Sequence, residues 1–155
     1  MNKVKKYILP IFILILVAIQ FVGPGRPVVI EENPDDLLLT EEVPDLISSL
    51  LVKACYDCHS METKFPFYSS LAPVSWFIYG HINHAREELN FSEWQTLDKR
   101  TKLKLLKKFE DEMENRNMPL SSYTWLHGDA KLSDDEVNLL IAWSDELSKK
   151  VFAAK

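Results

Sequence analysis

The sequence is poor in cysteine, in charge near its start, and in any alternation of apolar with polar residues. It has 2 cysteines in 155 residues, so its thiol chemistry is confined to the one stretch that holds both. Sustained two-residue alternation is missing, which argues against sheets and for an all-α domain. Internal repeats and low-complexity tracts are also missing. What is present, 46% hydrophobic and 11% aromatic residues, is enough for one core of moderate size and argues against a disordered chain.

Charge is absent from residues 7–22, "YILPIFILILVAIQFV", which follow Lys3, Lys5 and Lys6. A basic flank before an apolar run is the pattern of export or membrane anchoring in bacteria. As a helix the run spans roughly 24 Å, short of the roughly 30 Å hydrocarbon core, which fits a signal segment. An A-x-A cleavage site is missing, however, and Pro24 and Pro27 in "GPGRP" would obstruct a peptidase. Residues 1–26 are therefore expected to be a retained membrane anchor, with a cleaved signal as the alternative. Either way the rest lies on the periplasmic side of a bacterial inner membrane, where thiols meet oxidising conditions. No acidic residue precedes Glu31, and all 23 lie from there onward, so the exported part is acidic. That excludes nucleic acid as an expected partner.

Residues 27–43, rich in proline, read as an irregular tether. From Pro44 the periodicity turns helical and defines a domain over 44–150. Leu46, Ile47, Leu50, Leu51 and Ala54 form the first stripe, and Val74, Phe77, Ile78, Ile82, Ala85 and Leu89 the second. A third helix is expected over about 97–115, with Leu103, Leu106, Phe109 and Met113 on one face and a lysine-rich remainder. After it, "NRNMPLSSYTWLHGDAKL" is a long irregular segment of the kind that usually carries function. The last helix opens with a capping box, Ser133 to Glu136.

The first helix runs into "KACYDCHSME", residues 53–62. Cys55-Tyr56-Asp57-Cys58-His59 admits four readings. A haem c needs two thiols for its two vinyl groups and a histidine near enough to reach the iron, and Cys-x-x-Cys-His supplies all three. A redox dithiol normally follows a strand and opens a helix. Zinc could take Cys55, Cys58, His59 and one of His81, His84 or His127, but prefers a second closely spaced pair. A plain disulfide here closes too small a loop to restrict the unfolded chain. Covalent haem is the expected reading, on the joint signal of export, cysteines confined to this motif, and His59 directly after it.

Together, "KACYDCHSMETKFPFYSSLAPVSWFIYGHINHAREELNFSEW" and "NMPLSSYTWLHGDAKLSDDEVNLLIAW" resemble the small haem-binding domain family of bacterial proteins, single-haem relatives of cytochrome c. The resemblance covers about residues 40–148. It implies a cytochrome c-like helical domain, one covalent haem on Cys55 and Cys58, and His59 as the proximal iron ligand. It says little about the physiological redox partner.

Met118, in "NMPLSSY", is the expected ligand on the opposite face, similar in placement to the loop methionine of single-haem cytochromes c. Thioether ligation favours reduced iron and suits electron transfer. His81 on the second apolar stripe, His84 at its edge and His127 in "WLHGDA" are the competitors, and an open site is the remaining option. Arg86 reads first as a solvated residue and second as a propionate partner. The expectation is a membrane-tethered, single-electron carrier that performs no bond chemistry of its own, passing electrons to redox proteins not identified by the sequence. A haem-based sensor with an exchangeable sixth site is the alternative. A small peroxidase lacks an evident arginine–histidine pair.

Overall fold

The structure, a computed structural model, describes residues 5–154. Lys3 of the basic flank lies outside the described residues. Eight α-helices follow in order: α1 (Lys5–Ala18), α2 (Leu37–Thr40), α3 (Asp45–Ala54), α4 (Tyr56–His59), α5 (Val74–Glu88), α6 (Lys99–Glu114), α7 (Ser121–Leu126) and α8 (Asp134–Ala153). Short 3₁₀ turns join them, and no strand occurs among the described residues, so the all-α expectation holds.

The longest helices pair to make the base of the domain. Asp98 caps α6 by accepting from the N–H groups of Arg100 and Thr101, and the Ser133/Glu136 capping box opens α8 as its sequence requires. The expected α6 stripe turns inward, with Leu106 and Met113 buried and Leu103 and Phe109 packed at the edge. Ser144 of α8 sits against α6 and donates its hydroxyl to the Leu106 carbonyl at 3.3 Å. A small hydroxyl side chain there lets the two backbones approach while satisfying its own polar group. α3 lies across α8, burying Ile47, Leu50 and Leu51, and Lys53 reaches Glu136 at 2.5 Å.

Two expectations need correction. Residues 27–43 do not remain an irregular tether throughout, because "LLLT" forms α2 and packs on the 3₁₀ turn Phe91–Thr96. Leu37 is fully buried there and Asp36 is 1% exposed, so apolar burial and a capping carboxylate draw this segment into the domain. The α5 stripe also differs. Ser75, Tyr79 and Ile82 are the buried face, while Val74 and Phe77 are exposed along a cleft. Periodicity located the apolar stripe without revealing that half of it faces a cavity.

At the N-terminal end, α1 is apolar and exposed, and no helix among the described residues is long and apolar enough to cross a membrane.

Candidate functional site

The cysteine motif is wound by one carbonyl. Ala54 ends α3, Cys55 breaks the helix at φ −126°, ψ −40°, and its carbonyl then accepts from the N–H groups of Cys58 at 3.1 Å and His59 at 2.9 Å. This turn sets the two thiols on different sides. Cys55 and His59 line a cavity of about 270 Å³, walled by Leu89, Phe91, Phe109 and Met113. Cys58 lines a second cavity of about 370 Å³, walled by Phe65, Val74, Phe77 and Ile82. His81 and Leu120 line both, so the two are lobes of one cleft.

His59 is fixed through one ring nitrogen. Its Nδ1 lies 2.9 Å from the Leu89 carbonyl, which can only accept, so the proton sits on Nδ1 and the Nε2 lone pair is left for a ligand. Burial holds the imidazole below its ordinary pKa, keeping it neutral. Phe91 contacts its ring edge-on at 6.3 Å. A carbonyl that orients an iron-binding imidazole in this way also raises its basicity.

Both cysteines are unpaired. Burial, and then the neighbouring Cys58, pushes the Cys55 thiol up to about 12. Cys58 rises to about 11, through burial and Asp57, opposed by Arg86. Two thiols this hard to ionise are the reverse of a reactive redox dithiol, which depends on a depressed pKa. Nor do the described residues gather three histidine, cysteine, aspartate or glutamate side chains that could hold a metal ion, so the zinc reading has no ligand set here.

The turn is braced from several elements. Tyr56 points away from the cleft, stacks on Phe91 at 5.3 Å, and donates its hydroxyl to buried Asp36 at 2.8 Å. Burial and then Asp36 raise the Tyr56 phenol above its ordinary range. The second Asp36 oxygen accepts from Ser92 at 2.9 Å, and the Ser92 hydroxyl accepts from the Met61 N–H at 2.9 Å. Asp57 accepts from Tyr123 of α7 at 2.7 Å.

Arg86 is half-buried and engaged by the protein, more than a solvated residue would be. It donates to the Ser60 carbonyl at 2.8 Å, the Thr63 hydroxyl at 2.9 Å and the Val28 carbonyl at 2.8 Å. A planar guanidinium suits that clamp, which ties the chain just after the motif to the segment at Val28.

Of the residues expected at the site, Cys55, His59 and Met118 share one lobe. His81 stands between the lobes, with Nδ1 directed at the Phe77 carbonyl at 2.9 Å. His84 is at the rim beside Glu87, 4.0 Å away, and also borders the His59 lobe. His127 borders the Cys58 lobe, stacked on Tyr123 at 4.3 Å. Sequence reasoning missed Asp36, Ser92, Thr63 and the Tyr123–Asp57 pair. Asp36 alone carried a signal, as an aspartate directly before an apolar run.

A flat, apolar macrocycle with two side arms for thioethers fits what is present: two unpaired thiols on separate lobes, apolar walls, and a neutral imidazole with a free Nε2. The family model described as "Haem-binding domain" matches residues 14–146. No curated protein matches the chain, and no solved structure does.

Proposed function

The chain belongs to the haem-binding domain family, and from that premise we propose that it carries one covalent haem c and moves single electrons on the outer side of a bacterial inner membrane, tethered by its N-terminal apolar segment. Bound haem supplies an iron that cycles between two oxidation states. Everything else is the work of the chain.

Cys55 and Cys58 supply the two thiols for thioether links, each S–H adding across one vinyl group with no net oxidation. His59 presents Nε2 as the proximal ligand, and the Leu89 carbonyl keeps its proton on Nδ1. Met118, which lines the same lobe as His59, would supply a thioether to the iron. Phe91, Phe109 and Leu89 keep water from the His59 lobe, which raises the cost of charge there and so tunes the potential. The observation that carries the reading is the oriented His59 ring, sharing one lobe with unpaired Cys55 while unpaired Cys58 serves the other.

The test is the behaviour of the sixth site. Full-length protein, matured in a host with c-haem assembly machinery, is reduced and mixed with carbon monoxide. Slow or absent binding, with the weak red band of thioether ligation in the oxidised spectrum, is the expected result. Fast binding and no such band would favour a sensor with an exchangeable site and displace the carrier.

A further inference from the structure

The rim of the Cys58 lobe exposes large apolar side chains that nothing in the core requires. Phe67 is 88% exposed and Trp125 84%, with Leu71, Val74, Phe77 and Leu126 also on the surface. Val74, Phe77 and Leu126 line the lobe and belong to the haem cleft, whereas Phe67, Leu71 and Trp125 line neither cavity, and Phe67 stands edge-on to Tyr68 at the mouth. These residues come from two segments, 65–80 and 117–128. Neither contains an aspartate, glutamate, lysine or arginine, in a chain that is 26% charged overall. Charge enters only at the edges, where Asp57 and Lys64 line the lobe and Arg26 lies over the Phe65 ring at 4.2 Å, and an apolar patch with a polar border marks an interaction surface.

The junction with α1 identifies the occupant. The Gln20 side chain donates to the Ala72 carbonyl at 3.2 Å and accepts from the Ala72 N–H at 3.0 Å. Trp76 donates from Nε1 to the Val22 carbonyl at 2.6 Å. Gly23 follows at φ +125°, and a Cβ there would lie 2.1 Å from Trp76 Nε1, so the tight turn needs glycine. The apolar N-terminal segment is thus fastened beside Leu71 and Val74 instead of hanging on a loose tether.

Length completes the argument. The uncharged run 7–22 reaches roughly 24 Å as a helix, against a hydrocarbon thickness of roughly 30 Å. A short segment in a bilayer draws its attached neighbours toward the interface. The neighbours here are aromatic, with Arg26 and Lys64 at their edge, and aromatic and basic side chains together suit the headgroup level.

Resting on the membrane-tethered reading, we propose that the rim of the Cys58 lobe is a second lipid-contacting surface. It lies in the interfacial layer of the bilayer that receives α1, so that the mouth of the cleft faces lipid and not open solvent.

The test uses the full-length, haem-loaded protein in vesicles of phosphatidylethanolamine and phosphatidylglycerol containing a phospholipid with a photoactivatable acyl chain. After irradiation, adducts are mapped by peptide mass spectrometry. Adducts in 65–80 and 117–128, as well as in α1, are expected, and Gly23→Ala should lose the rim adducts while keeping those in α1. Adducts confined to α1 in the unaltered protein would overturn the inference and leave the tether standing. Absence of adducts everywhere would overturn both. Cross-links between copies through Phe67 or Trp125, with no lipid adducts there, would assign the rim to a second copy of the chain instead.

Discussion

Tyr123 donates its hydroxyl to the carboxylate of Asp57 at 2.7 Å, joining the helix that follows Met118 to the turn that holds both cysteines. Sixty-six positions of sequence separate the two residues, so the bond fastens the Met118 segment across the cleft. Removing it with Tyr123→Phe leaves the ring in place and should cost about 1.5–3 kcal/mol, as for a hydrogen bond to a charged group. Urea denaturation would show the loss. If the segment is held by this bond, carbon monoxide entry into the reduced protein should also quicken, and an unchanged entry rate would refute the fastening role.

Asp36 offers a second, more severe case. Its carboxylate is buried and accepts from Tyr56, Ser92 and the Leu38 N–H. Asp36→Ala strands three donors in the interior, and a destabilisation of roughly 3 kcal/mol or more is expected. Thermal denaturation of the two proteins side by side is the check, and a shift no larger than that of a surface substitution would contradict it.

Acid should loosen the contact between α3 and α8. Lys53, joined by the backbone of the capping box, holds the Glu136 carboxyl at about 2, well below its ordinary 4.5. A group depressed in the folded state binds fewer protons folded than unfolded. Its stabilisation is therefore complete above about pH 4.5 and lost as pH falls toward 2. Both side chains are partly exposed, so the effect is below about 1 kcal/mol. Glu136→Gln should flatten that part of the stability–pH curve. An identical slope in the variant would assign acid lability to other carboxylates.

Met118→Ala should lower the reduction potential and abolish the red thioether band, because the loss of a thioether ligand removes a preference for reduced iron. His81 borders the same lobe as His59 and Met118. Persistence of the band in Met118→Ala would pass the thioether to another methionine such as Met113, which lines the same lobe, whereas absence of the band in the unaltered protein, with carbon monoxide entry opened by His81→Ala, would pass the ligand to His81.

Local pattern carried much of this fold into the sequence. The capping box of α8, the α6 stripe and the helix leading into Cys55 were legible because each depends on neighbours three or four residues apart. The cysteine motif was legible for the same reason. Asp36, Arg86 and Tyr123 were not, since their partners lie 20, 26 and 66 positions away and only the folded chain brings them together. Arg86 illustrates the difference most clearly. On a helical wheel it borders the polar face, whereas in the fold it joins Ser60 and Thr63 after the motif to Val28 before it. The exposed half of the α5 stripe was misjudged because periodicity registers apolar side chains equally whether they meet a core or a cleft.

The central claim is covalent attachment through Cys55 and Cys58, and the most direct measurement is the intact mass of the full-length protein after denaturation, alongside Cys55→Ser/Cys58→Ser. The account predicts a mass increase of one haem in the unaltered chain and none in the double variant. An unaltered chain that sheds all its haem on denaturation would contradict it, leaving a family member that holds haem without thioether bonds.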